Sequence, residues 1–261
     1  MSSNFVIQSS ESQVLIFDNS NNLDIAQQNE NSCLSKNIVY LTKSENVGLS
    51  RAYNLVLNKI QKDYSFNNND YIVWLDDDTE VTQEWLSELS NEVSKNKYDI
   101  ITPIISSPDG TIYSPNSAGI MKNNLSLNTS KQSKIKKFNA INSCLCVRLT
   151  IFDDYRYDER LFLDQVDQKF FDDLRKKEFS YKILNTQIIQ NFSQRSSKIP
   201  NSYIKRFDIR CKDILVYAKL SNNYGILFLL IIKLFLLALG LFKKTKNFRY
   251  IKVMLSSVFH R

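Results

Sequence analysis

The chain has 261 residues and a formal net charge of +7, and 43% of its residues are hydrophobic. Five glycines and four prolines exclude collagen-like and Gly/Pro-rich disordered chains, and the apolar content is enough for a true core. The charge is divided: residues 194–261 hold 14 Lys/Arg against 2 Asp/Glu, a net of +12, whereas residues 1–193 carry a net of −5. The opening MSSNFVIQSS has neither the basic nor the apolar region of a secretory leader. Residues 14–18 (VLIFD) are an apolar run ending in Asp18 and followed by Asn19-Ser20-Asn21-Asn22, a buried strand with a loop at its carboxyl end. Residues 37–42 (NIVYLT) repeat the pattern. Leu49, Ala52, Tyr53, Val56, Leu57 and Ile60 recur at helical spacing, which predicts an amphipathic helix from about Gly48 to Ile60.

Residues 70–75 (DYIVWL) form a third strand, running into Asp76-Asp77-Asp78. Thr82 can cap a helix over 83–95. Residues 99–105 are a fourth strand, and Pro108-Asp109-Gly110 predicts a hairpin. Residues 121–137 are polar and aperiodic, a loop. Further strands are expected at 140–147 and 180–184, with a helix over 164–177 between them. Strands alternating with helices imply an α/β layer fold with a mostly parallel sheet.

Four cysteines without a CxxC pair, and one histidine at position 260, argue against structural zinc. Cys144 and Cys146 read as buried strand thiols, in keeping with a reducing cytosol. Ligands of parallel α/β sheets bind at the carboxyl ends of strands. Two strands here end in carboxylates, at Asp18 and at Asp76-Asp77-Asp78. Three adjacent aspartates repel one another. Mg²⁺ or Mn²⁺ with a diphosphate would relieve that repulsion, since hard cations favour one or two carboxylates plus phosphate oxygens. A solvated, helix-capping acidic turn is the alternative.

With these residues in view, the chain resembles glycosyltransferase family 2, a GT-A fold, and most of all its bacterial rhamnosyltransferase-type members. VLIFDNSNN (14–22), ENVGLSRAYN (45–54), YIVWLDDDT (71–79), INSCLCVR (141–148) and YDERLFLDQVDQKFFDDLRKK (157–177) carry the resemblance. It implies a nucleotide-sugar donor, UDP- or dTDP-linked. Asp18, with Asn19 beside it, falls where the family contacts base or ribose. Asn46, Gly48, Arg51 and Asn54 match the stretch that closes around the nucleoside. Asp76 and Asp78 match the D-x-D motif, with Asp78 the main ligand of Mg²⁺ or Mn²⁺, Asp76 near ribose or metal, and Asp77 between them on the donor side. Asp167 matches the general base that an inverting transfer requires. Asp164, three residues earlier and on the same helical side, is its rival.

The resemblance also has departures. The family's usual first strand, V-x-V-I-I-x-x-Y-N, is not recognisable before VLIFD, so the chain reads as N-terminally short. A catalytically impaired remnant or an assembly partner is therefore the competing reading. Where the family often carries a metal-binding His after the last strand, this chain has Gln190 and Asn191. Where it often has Arg six residues beyond the base, this chain has Asp173.

The division expected is a catalytic domain over 1–193 and a helical tail over 194–261. Residues 225–242 are apolar except for Lys233, a borderline length for a membrane span. Residues 245–259 place Phe248, Ile251, Met254, Leu255 and Val258 on one face, with Lys246, Arg249 and Lys252 elsewhere. That is a basic amphipathic helix suited to an anionic membrane surface. A true span and soluble packing are the alternatives. Nucleic acid is not expected, because the basic residues alternate with aliphatic runs rather than stacking aromatics. The reading is a cytoplasmic-face, membrane-associated transferase acting on a lipid-linked glycan in capsule, exopolysaccharide or cell-wall polysaccharide synthesis.

Overall fold

The computed structural model describes residues 12–36, 38–77, 79–121, 123, 135, 137–190 and 199–259. Asp78, Asn191, His260 and most of the polar segment 121–137 lie outside the described residues. The elements, in order, begin with β1 (Leu15–Asp18), α1 (Leu23–Leu34), β2 (Val39–Thr42), α2 (Leu49–Asp63), β3 (Tyr71–Trp74) and α3 (Gln83–Ser94). They continue with β4 (Ile100–Ser106), β5 (Ile112–Ser114), β6 (Asn116–Ser117), β7 (Phe138–Asn139), β8 (Leu145–Arg148), α4 (Val166–Leu174) and β9 (Tyr181–Ile189). Three helices complete the chain: α5 (Tyr203–Leu220), α6 (Tyr224–Thr245) and α7 (Arg249–Phe259).

β1 and β2 pair in parallel, with Asp18 opposite Thr42. In the larger sheet β8 lies between β3 and β4 and runs antiparallel to both. β9 runs parallel to β4 on its other side, and β5 folds back on β4 through the predicted hairpin. The fold is therefore α/β of the GT-A kind with a mixed sheet. Side-chain alternation along β8 divides the core. Leu145 and Val147 meet α2 and α4 through Leu57, Phe170 and Phe171, while Cys146 faces Trp85 and Leu89 of α3. All four cysteines are free and buried.

Two helices carry weak or overlooked signals. α1 has little amphipathic pattern; Asn22 starts it by accepting hydrogen bonds from the backbone N–H groups of Asp24 (2.9 Å) and Ile25 (3.2 Å). In α5, Phe207, Cys211, Ile214, Leu215 and Ala218 form a regular buried stripe that periodicity alone can find. The helix expected over 164–177 is shorter. It begins at Val166, because Gln165 takes a left-handed conformation (φ 66°). Asp164 therefore precedes the helix, and the expectation that it shares a helical side with Asp167 does not hold.

α5, α6 and α7 build a separate core of Phe207, Leu230, Leu234, Tyr250, Ile251 and Met254. This corrects the amphipathic reading of α7: Ile251 and Met254, assigned to the lipid-facing side, are buried against α5 and α6, whereas Phe248, Leu255 and Phe259 are exposed. α5 also reaches the sheet-bearing body. Its Val216, Tyr217 and Leu220 pack on the α2–α4 core, and Tyr217 OH donates to Asp172 of α4.

Candidate active site

The site is built from loops at one end of the strands. After β1, Asp18 is buried and its carboxylate accepts from the Ser20 N–H (2.8 Å), Asn29 Nδ2 (2.7 Å) and Tyr40 OH (2.9 Å). Burial pushes its pKa up, but the donors from Asn29, Ser20 and Tyr40 outweigh that and hold it below the ordinary value. The next residues tie this loop to the one before α2. Asn19 Oδ1 accepts from the Val47 N–H (2.8 Å), Asn21 Oδ1 from the Asn46 N–H (2.6 Å), and Asn46 Oδ1 from the Gly48 N–H (3.0 Å).

Gly48 is obligatory on two grounds. Its φ is +82°, and a Cβ there would sit 2.7 Å from the Phe162 ring. The adjoining Leu49 N–H donates to Phe162 O at 2.6 Å. Asn54, one turn into α2, faces inward and clamps the segment before α4: it donates to Tyr157 O (2.9 Å) and Glu159 (3.0 Å) and accepts from the Tyr157 N–H (2.9 Å). Arg51 is exposed.

Past β3, Asp76 and Asp77 are exposed. Asp76 lies close enough to Asp167 to act on it electrostatically. Asp167 sits in the first turn of α4, half-buried, and its Oδ1 has no hydrogen-bond partner. Desolvation first, then the Asp76 charge and more weakly Asp164, push its pKa up to about 7, with the Asn142 N–H offsetting part of the rise. The side-chain amide of Asn142, just before β8, is buried and likewise unpartnered. Orphaned polar atoms beside a carboxylate pair are costly in a resting fold and mark a place where a polar guest fits.

Gln190 and Thr79 are further parts of this wall that sequence reasoning did not assign. Gln190 Nε2 donates to Thr79 Oγ1 (2.7 Å) and to Ser143 Oγ, and Thr79 and Ser143 share a hydrogen bond of 3.0 Å. This buried net joins the end of β9 to the acidic turn at the position where a histidine was looked for. Among the described residues no three His, Cys, Asp or Glu side chains converge as a metal centre. A hard cation needs only one or two carboxylates beside phosphate oxygens, and the exposed Asp76 can supply one of them.

Asp164 points elsewhere. Its carboxylate meets Arg206 and Arg210 of α5, the latter at 3.3 Å. Beside it, buried Asp213 of α5 accepts three consecutive backbone N–H groups, from Phe162 (2.9 Å), Leu163 (2.8 Å) and Asp164 (2.7 Å). Thus α5 holds from behind the same loop that Gly48 and Leu49 contact in front. None of these three α5 residues carries a motif, and each stands among other charged residues of the same helix, such as Lys205, Asp208 and Lys212.

Residues 9–156 match the model of the family described as glycosyl transferase family 2, more than half of the chain. No curated protein sequence matches it. Among solved structures it is similar to GalNAc-T7 crystallised with UDP, GalNAc and Mn²⁺, with a TM-score of 0.50, 14% identity, and 76% of this chain against 41% of that one. It is also similar to TarS of S. aureus at a TM-score of 0.47 and 14% identity, over 78% of this chain and 34% of that one. At such identity the GalNAc-T7 likeness speaks for the fold alone, and the TarS score carries no weight. The chain spans about two fifths of the length of GalNAc-T7.

Proposed function

The chain belongs to glycosyl transferase family 2, and we propose that it moves a sugar, with inversion, from a nucleotide diphosphate donor to a lipid-linked glycan. The observation that carries this reading is Asp167: a half-buried carboxylate in the first turn of α4, with one oxygen unpartnered and its pKa raised to about 7 by burial and by Asp76. A base of that strength is half-deprotonated at neutral pH and strong enough to take a hydroxyl proton in a transition state. Asp167 takes the proton of the acceptor hydroxyl as its oxygen bonds to the anomeric carbon. The bond from that carbon to the diphosphate breaks, and the nucleoside diphosphate leaves with the electron pair. Asp76 and Asp78 would hold Mg²⁺ or Mn²⁺, which when bound supplies positive charge to the departing diphosphate. The loops of Asp18–Asn21 and Asn46–Gly48 would enclose the nucleoside, with Arg51 and Asp77 at its rim.

Membrane association rests on α6. It has 22 residues and a mean hydropathy of 2.7, long and apolar enough to cross a membrane by length and composition. Phe228, Phe235 and Leu236 are exposed on it, and Lys243 and Lys244 stand in its last turn. An in-plane position on the anionic cytoplasmic face accommodates both features. Rhamnose as the sugar, and capsule, exopolysaccharide or cell-wall polysaccharide as the product, follow the sequence resemblance.

Calorimetry of the full chain with UDP- and dTDP-sugars plus Mn²⁺ tests donor binding, and product analysis with Asp167→Ala tests the base. Saturable binding to one nucleotide, with transfer lost in the variant, is the expected result. Transfer that survives Asp167→Ala and Asp78→Ala overturns the mechanism, and no binding to either nucleotide favours an assembly partner.

A further inference from the structure

The three cations around Asp164 are more than that carboxylate needs. Arg206 and Arg210 already pair with it. Lys233 then approaches from α6, half-buried, within electrostatic reach of both Arg210 and Asp164. Its Nζ donates to the Ile120 carbonyl at 3.2 Å. Burial lowers the pKa of Lys233, and Arg210 pushes it the same way. A lysine in the middle of an otherwise apolar helix, set beside an arginine, is an unfavourable arrangement by itself.

Two neighbours add meaning to the place. Asp164 is three residues from Asp167, and Ile120 belongs to the segment after β6 that approaches α6. Leu229 and Leu236, one turn to either side of Lys233, are exposed, as is Phe228. Arg206, Arg210 and Lys233 thus form a cationic cluster about the carboxylate three residues before Asp167, beside an uncovered apolar stripe.

We propose that Arg206, Arg210 and Lys233 form a phosphate subsite for the acceptor, taking the diphosphate that joins a glycan to its lipid, with the hydrocarbon following Phe228, Leu229 and Leu236. The proposal rests on the transferase reading and deepens it by naming what the acceptor must carry. Arginine forks and a lysine point charge are the groups that recognise phosphate oxygens. Asp164 neutralises part of this positive charge through its contacts with both guanidiniums.

Farnesyl diphosphate, inorganic pyrophosphate and farnesol serve as probes in titration calorimetry of the full chain. EDTA is present, so that metal-dependent donor binding does not contribute. Farnesyl diphosphate is expected to bind saturably, pyrophosphate more weakly, and farnesol without saturation. Lys233→Met, which suits an apolar helix and keeps the fold, weakens farnesyl diphosphate about tenfold or more, and Arg210→Gln does the same. Equal affinity in wild type and Lys233→Met overturns the subsite. Farnesol binding as tightly as its diphosphate overturns phosphate recognition, and pyrophosphate binding as tightly as farnesyl diphosphate overturns the lipid assignment. UDP with Mn²⁺, titrated separately into wild type, distinguishes the two ideas: its failure removes the transferase reading and leaves the farnesyl diphosphate result intact.

Discussion

Asp164 and Asp167 stand three residues apart on opposite sides of one turn, and their surroundings differ in every respect. On the α5–α6 side, Asp164 meets two guanidiniums and its backbone N–H is held by Asp213. On the β3–β8 side, Asp167 faces another carboxylate, and one of its oxygens has no partner. The left-handed Gln165 separates them. The contrast teaches that residue type and spacing do not assign a base; the neighbours do. In the proposed mechanism, charge pairing would make Asp164 scaffold, while burial beside like charge, which raises the pKa of Asp167, would suit it to accept a proton.

Exchanging the two sites should break the comparison most visibly. Asp167→Asn is expected to reduce transfer by about 10²–10⁴-fold, the usual worth of a positioned base. Asp164→Asn should cost less than tenfold; initial rates at saturating donor show which side carries the chemistry. Next in size is the support behind the turn. Asp213→Ala strands three backbone donors and should lower stability by about 2–3 kcal/mol in urea unfolding.

The pH dependence of stability sharpens the contrast further. The pKa of Asp167 is raised from 3.8 to about 7 in the fold. Its charged form therefore opposes folding, and stability contributed at low pH is lost as pH rises from about 4 to 7. Asp167→Asn should accordingly gain about 4 kcal/mol over wild type at pH 8 and nothing at pH 3, read from paired unfolding curves. The smallest effect concerns the apolar stripe. Phe235→Ser with Leu236→Ser should weaken binding to vesicles containing anionic lipid by about 1–2 kcal/mol without changing the unfolding midpoint. Unchanged sedimentation with vesicles contradicts membrane contact through α6.

The fold was legible where periodicity was strong. β1, β3, α2 and α3 stand within a few residues of their expected limits, because apolar alternation and helical stripes report burial directly. The antiparallel insertion of β8 was not legible, since strand direction depends on partners far along the chain. Asp76 lies within electrostatic reach of Asp167, a proximity that their separate motifs did not spell out. The role of Asn54 as a clamp on Tyr157, and that of Gln190 as a partner of Thr79, depend on contacts across more than a hundred residues that no local pattern encodes. α5 shows the remaining limit: its stripe was readable, but its grip on residues 162–164 was not, because Asp213 within it looks like any solvated helix charge.

The central claim is that Asp167 is the proton acceptor of sugar transfer. The pH–rate profile of transfer tests it most directly, measured from pH 5 to 9 for wild type and Asp167→Asn. A rising limb with an apparent pKa above the ordinary carboxylate value in wild type, absent from a residual rate in the variant, is the predicted result. A wild-type profile flat across pH 5–9, or a variant that retains both rate and limb, would contradict it.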